Sequence, residues 1–210
     1  MAGAGSELQV SGTRIEANVA SSAGSALFLQ QGNAFAQIEN SFIVENDGSS
    51  VFYLSDPSSG PPLATHLTLL QSTVAANVNT SHVFNLNTEG TLQIGRNLIN
   101  DDASTPVMFQ TGSYTPAQSC NFVHESASIA PLDATSVQST SPGFVNAGSG
   151  NYHLTSTASP TDRCAANAIY SSLDYDRQQR PVNAPLPDTA GPFDMGADEW
   201  SASLFADGFE

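Results

Sequence analysis

Residues 8–18 read LQVSGTRIEAN, residues 36–46 AQIENSFIVEN, residues 67–77 LTLLQSTVAAN and residues 92–102 LQIGRNLINDD. The four stretches share little identity, yet their chemistry repeats position by position. An apolar pair at alternate positions comes first: Leu8 and Val10, Ala36 and Ile38, Leu67 and Leu69, Leu92 and Ile94. A small polar residue follows (Thr13, Ser41, Ser72, Asn97), then a β-branched apolar residue (Ile15, Ile43, Val74, Ile99). Asn18, Asn46, Asn77 or Asp102 closes the unit three places later. In every copy five positions separate the second apolar residue from the β-branched one. Asn121 with Val123 is a shorter fifth copy.

The copies begin 28, 31 and 25 residues apart. Constant offsets inside the unit with variable lengths between units describe coils whose strands keep register while their loops differ. The apolar pairs alternate with period two, which is a strand pattern and not a helical one. A second apolar run follows each unit: residues 27–29, 51–54, 83–84 and 107–109. One such coil cannot bury its apolar face alone, whereas four or five stacked ~4.8 Å apart can. A β-sandwich also yields short strands and frequent turns, but it does not require equal offsets four times over. The sequence therefore predicts an all-β fold: a right-handed parallel β-helix of about five coils over residues 1–140. In it Ile15, Ile43, Val74 and Ile99 share one inward column. The polar positions Thr13, Ser41, Ser72 and Asn97 form one ladder, and Asn18, Asn46, Asn77 and Asp102 a second. Side chains of these types can hydrogen-bond from coil to coil.

From about Ser141 the repeat ends, and Pro, Gly and Asp become frequent. An open solenoid end exposes apolar surface and strand edges, so residues 141–200 are expected to cap it, with residues 201–210 as a tail.

Composition narrows the function. The chain of 210 residues carries a formal charge of −15, with five Arg and no Lys. No basic stripe exists to displace counterions from phosphates, so nucleic acid is excluded as a partner. Acidic polysaccharides and anionic membranes are disfavoured on the same ground. No apolar stretch approaches the roughly 20 residues that cross a bilayer as a helix, which argues against membrane insertion. Met1–Gly5 lacks the basic start and apolar core of an export signal, so export would require a signal outside these residues.

Residues 141–154 read SPGFVNAGSGNYHL; Ala158, Ser159, Pro160 and Asp162 follow, then DYDRQQRP at 174–181 and DMGADE at 194–199. This ordered series resembles the C-terminal signature of the bacterial choice-of-anchor Q domain proteins. Those are secreted or surface right-handed parallel β-helices with polymorphic-outer-membrane-protein-like repeats. The upstream repeats fit the same family, so the resemblance spans nearly the whole chain. It departs at Gln178 and Gln179, where the family carries Gly after the second Asp. Residues 204–210 also resemble a short terminal tag of exported gammaproteobacterial proteins. The resemblance implies a secreted or cell-surface location and this fold; it supplies no established catalysis.

Cys120 and Cys164 are the only cysteines, and in an exported protein the even count predicts a disulfide. His66, His82, His124 and His153 show no close ligand spacing, so no zinc site is expected. Asp101 and Asp102 are the one adjacent acid pair in the coils. Neighbours on a strand point to opposite faces, so a ladder or turn role is favoured over paired catalytic carboxylates. Asp174, Asp176, Asp194 and Glu199 are potential oxygen ligands for calcium, or partners for Arg177 and Arg180. The favoured arrangement pairs Arg180 with Asp194 or Glu199, leaving Asp174 and Asp176 as the calcium candidates and no cofactor otherwise. The expected function is a non-catalytic adhesion or neutral-glycan-binding module, with Phe52, Tyr53 and Tyr114 as candidate sugar-stacking residues. Its partner is then a glycan or another cell-surface component. A polysaccharide lyase or glycoside hydrolase on the same scaffold is the alternative, because fold alone does not decide function. A crystal-binding face would need uniform ranks of outward Thr, and the Thr13, Ser41, Ser72, Asn97 row is too mixed.

Overall fold

The structure, a computed structural model, describes residues 5–30, 33–55, 64–78, 80–87, 90–101, 108–110, 116–124, 133–165, 171–182 and 190–201. Coil one contributes β1 (Glu7–Ser11), β2 (Arg14–Glu16) and β3 (Leu27–Gln30). Coil two contributes β4 (Phe35–Glu39), β5 (Phe42–Val44) and β6 (Ser50–Ser55). Coil three has β7 (His66–Leu70), β8 (Thr73–Ala75) and β9 (His82–Asn87). Coil four has β10 (Thr91–Gly95), β11 (Leu98–Asn100) and β12 (Met108–Gln110); β13 (Ala117–Ser119) and β14 (Phe122–His124) belong to coil five. A further strand, β15 (Val137–Ser139), follows β14. Each strand pairs in parallel with its counterpart in the next coil, and three sheets result: β1-β4-β7-β10-β13, β2-β5-β8-β11-β14-β15 and β3-β6-β9-β12. This is a parallel β-helix.

The register follows the repeat. Ile15 pairs with Ile43, Ile43 with Val74, Val74 with Ile99, and Ile99 with Val123. Val10, Ile38, Leu69 and Ile94 form the matching column of sheet one. Leu29, Leu54 and Leu86 do so in sheet three, beside the stacked rings of Phe52 and Phe84. These columns meet in a single apolar core. Phe52 lies inside it, fully buried, which corrects its placement among the sugar-stacking residues. Tyr114 lies outside the described residues.

Two polar ladders edge sheet two. In the first, the backbone N–H of Thr13 donates to Ser41 Oγ, that of Ser41 to Ser72 Oγ, and that of Ser72 to Asn97 Oδ1. The row continues through Asn121 Oδ1 to Ser136 Oγ. The hydroxyl rungs also donate within their own coils, Ser41 to the carbonyl of Glu39, Ser72 to that of Leu70 and Ser136 to the carboxylate of Asp133. In the second ladder, both the backbone N–H and the side-chain amide of Asn18 donate to Asn46 Oδ1, and those of Asn46 to Asn77 Oδ1. Asn77 donates in the same way to Oδ1 of Asp101. The fourth rung is thus Asp101 and not Asp102, which lies outside the described residues. In coils one to three a left-handed residue (Ala17, Glu45, Ala76) stands between strand and rung; in coil four the rung follows β11 directly. Because every rung-to-rung bond is donated toward the later coil, the last rung needs only to accept from its neighbour, and a carboxylate suffices.

Beyond β15 the chain forms an antiparallel hairpin of β16 (Phe144–Asn146) and β17 (Asn151–Leu154), and the described residues between it and Trp200 are turns, bends and isolated bridges. The sequence places this segment over the open end of the last coil. Its contacts run instead along the flank of the solenoid, from Arg14 in coil one to Cys120 in coil five. The reason lies in sheet two, which is apolar on both faces. Phe42, Val44, Ala75, Leu98 and Phe122 point away from the core and are buried beneath Tyr152, Leu154, Phe193, Met195 and Ala197. A sheet with two apolar faces needs cover on both. We call residues 141–200 the clasp.

Candidate functional site

Corner residues hold the clasp. The residue before each of the first five rungs of the first ladder has positive φ: Gly12, Asn40, Gln71, Arg96 and Cys120. Side chains from three of these corners engage the clasp. Cys120 is disulfide-bonded to Cys164, with Cα atoms 5.8 Å apart. The Arg96 guanidinium donates to the carbonyl of Ala165 and lies 4.1 Å from the ring centroid of Phe193. Gln71 Oε1 accepts the Ser171 N–H at 2.8 Å. From the second row of corners, Glu45 accepts a 2.9 Å hydrogen bond from the Tyr152 hydroxyl. Burial and that carboxylate push the phenol up to about 12. Gly196 makes the closest approach. Its N–H donates to the Arg96 carbonyl at 2.7 Å, and at its φ of 113° a Cβ would stand 2.8 Å from Thr73 Oγ1. Only glycine fits there.

The interior of the clasp is built on carboxylates. Arg180 and Glu199 form a fully buried ion pair at 3.2 Å, and Arg180 also donates to the carbonyls of Gly196 and Ala197. Of the two partners considered for Arg180, the structure brings it to Glu199. Asp194 accepts the N–H groups of Asp162 and Trp200 instead. Asp174, a calcium candidate by sequence, spends its oxygens on the N–H groups of Gln178 and Glu199. Desolvation raises all these acids. It pushes Glu199 up to about 7 despite Arg180 and Asp198 up to about 6, and it holds Asp174 and Asp194 above the ordinary carboxylate range.

One cluster opens to the surface. His153 on β17, Asp176 in the turn after Asp174, and Asp198 each place a ligand-type atom within 4.8 Å of the other two. His153 and Asp198 line a cavity of about 310 Å³ beside Gln178 and Trp200. The sequence pairs Asp176 with Asp174 and gives His153 no ligand spacing; residues this far apart give no spacing signal. Asp101 is absorbed by its ladder, so the one adjacent acid pair of the coils does not supply two free carboxylates.

Two sheet faces lie away from the clasp. On sheet one, Gln9, Gln37, Thr68 and Gln93 stand in register on the outer face, one in each of the first four coils, and Ala117 ends the row. Phe35, His66 and Thr91 form the neighbouring row, with His66 bonded to Thr91 at 2.6 Å. On sheet three, Phe28 and Tyr53 stack 4.9 Å apart on the outside. Among the described residues no helix is long and apolar enough to cross a membrane. Comparison of the chain with protein-family models, with curated proteins and with solved structures finds no match.

Proposed function

We propose that this chain is a non-catalytic module, secreted or held on a bacterial surface, that binds a neutral glycan along sheet one. The observation that carries the reading is the in-register row Gln9, Gln37, Thr68 and Gln93. It offers an amide or hydroxyl every ~4.8 Å on a flat face, a step close to the length of one hexopyranose unit. Amides and hydroxyls both donate and accept, as sugar hydroxyls require. The charge of −15 disfavours acidic polymers and leaves neutral ones. The resemblance of residues 141–199 to choice-of-anchor Q domain proteins supports the surface location.

The test is a glycan array followed by calorimetry on the neutral hits. Gln37→Ala with Thr68→Val should lower affinity about 10-fold or more while circular dichroism stays unchanged. Absence of any neutral-glycan binding, or binding indifferent to the pair, refutes the reading. Among the described residues, the lyase or hydrolase alternative is best placed at the cavity lined by His153 and Asp198, the latter raised to about 6 and close to Asp176. Release of reducing ends from a polysaccharide panel, abolished by Asp198→Asn, would establish it.

A further inference from the structure

The three side chains His153, Asp176 and Asp198 converge from separate stretches of the clasp. His153 comes from β17, Asp176 from a turn and Asp198 from the final segment. Convergence of that kind is not the by-product of a local acidic run. It also includes a nitrogen donor, which sets it apart from a patch of carboxylates.

The orientation of His153 is informative. Asn151 Oδ1 accepts the backbone N–H of His153 at 3.1 Å, so this atom is an acceptor. The same oxygen lies 2.8 Å from His153 Nδ1, which must therefore carry a proton. In the neutral ring Nε2 is then a bare lone pair, and it faces Asp176 Oδ2 at 2.9 Å. Two lone pairs at that distance need either a proton or a metal ion between them. An imidazole fixed through Nδ1 so that Nε2 points at carboxylates is the arrangement by which proteins orient a metal-ligating histidine. The ring of Phe42, edge-on at 5.6 Å, supports the imidazole from below.

Asp198 is 4% exposed, and one of its oxygens accepts the Leu154 N–H at 2.7 Å. Asp174 adds further negative charge nearby. Arg180, the buried cation of the clasp, is committed to Glu199 and two carbonyls. The field at the cluster is thus negative, and the cavity beside it has room for water or a further ligand.

We propose that His153, Asp176 and Asp198 bind a divalent transition-metal ion of the zinc class, with the remaining positions open to the cavity. One imidazole and two carboxylates suit Zn²⁺ and, less tightly, Mn²⁺. Ca²⁺ and Mg²⁺ favour all-oxygen sets and are expected to bind more weakly. The ion would join three separate stretches of the clasp at one point. The inference is independent of the glycan reading, since the cluster lies on the clasp and the amide row on sheet one.

The experiment titrates the chelator-stripped, disulfide-intact protein with Zn²⁺, Mn²⁺ and Ca²⁺ separately, following heat and the ¹⁵N shifts of the His153 ring. Zinc should bind one per chain, move Nε2 and not Nδ1, and raise the melting temperature as the ion concentration rises. His153→Ala and Asp176→Asn, each checked for folding by circular dichroism, should weaken binding by more than about 10-fold. The proposal fails if zinc leaves the ring shifts unmoved, or if both variants bind as the parent does. A ring carrying both protons at neutral pH with saturating zinc present also overturns it, because His153 and Asp176 would then be an ordinary ion pair.

Discussion

The solenoid and the clasp solve the same problem of burial by opposite means. In the solenoid the same apolar columns and polar rungs recur from coil to coil, so no single contact is unique. In the clasp nothing repeats. Its interior depends on a buried ion pair, four further buried acids and a disulfide. A periodic core distributes its energy over many equivalent contacts, whereas an aperiodic polar one concentrates it in a few side chains. Damage to the solenoid should therefore propagate through the whole chain, and damage to the clasp should remain local. Trp200, the sole tryptophan, reports on the clasp, while far-ultraviolet dichroism reports mainly on the coils.

The largest effect is expected from Val74→Asp. Val74 is fully buried between Ile43 and Ile99. An unpaired charge there costs several kcal/mol against a total stability of about 5–15. Both signals should be lost; a folded Val74→Asp protein would contradict the shared column. Next is Arg180→Ala, which strands Glu199 and two carbonyls in the interior and should cost about 3–5 kcal/mol. Here the tryptophan signal should change at a denaturant concentration where dichroism is still native. Coincident transitions would mean that the two regions form one cooperative unit.

Replacing Cys120 by Ser opens a 44-residue span and should cost up to about 4 kcal/mol by the loop-entropy relation. The loss should again appear first at Trp200, and mass analysis of the parent without reductant should find no free thiol. The smallest effect is that of pH. Asp198 and Glu199 have folded values raised to about 6 and about 7. A carboxyl raised by folding stabilises the native state below its unfolded value and loses that contribution as pH rises through its folded value. Clasp stability should therefore decline as pH rises from about 4 through about 7. A midpoint of the Trp200 transition that rises over this range would show that ion pairing, not desolvation, dominates.

The coils were legible because their offsets are invariant: Val10 to Ile15 fixed a distance that Ile38, Leu69 and Ile94 repeat. The second ladder failed by one residue at Asp101, because the rule of three assumed a left-handed corner that coil four does not have. The docking of the clasp was not read, although the signal was present. Phe42, Val44, Leu98 and Phe122 flank the inward column and break the alternation that a solvated outer face would show. The His153 cluster left no trace, since its members are brought together by turns whose geometry no spacing encodes.

The left-handed corners carry one more consequence. Going along the clasp from Cys164 through Ala165 to Ser171, the partners met are Cys120, Arg96 and Gln71, one coil lower each time. The clasp therefore works as a gauge laid along the stack, with marks one coil apart. Solenoids ordinarily lengthen by duplicating a coil, because an extra copy fits against its neighbours as well as the original did. Here an added coil between Gln71 and Cys120 would displace every mark beyond it by ~4.8 Å, and the disulfide and the Gln71 contact could not both form. The number of coils is thus set by the part of the chain that does not repeat.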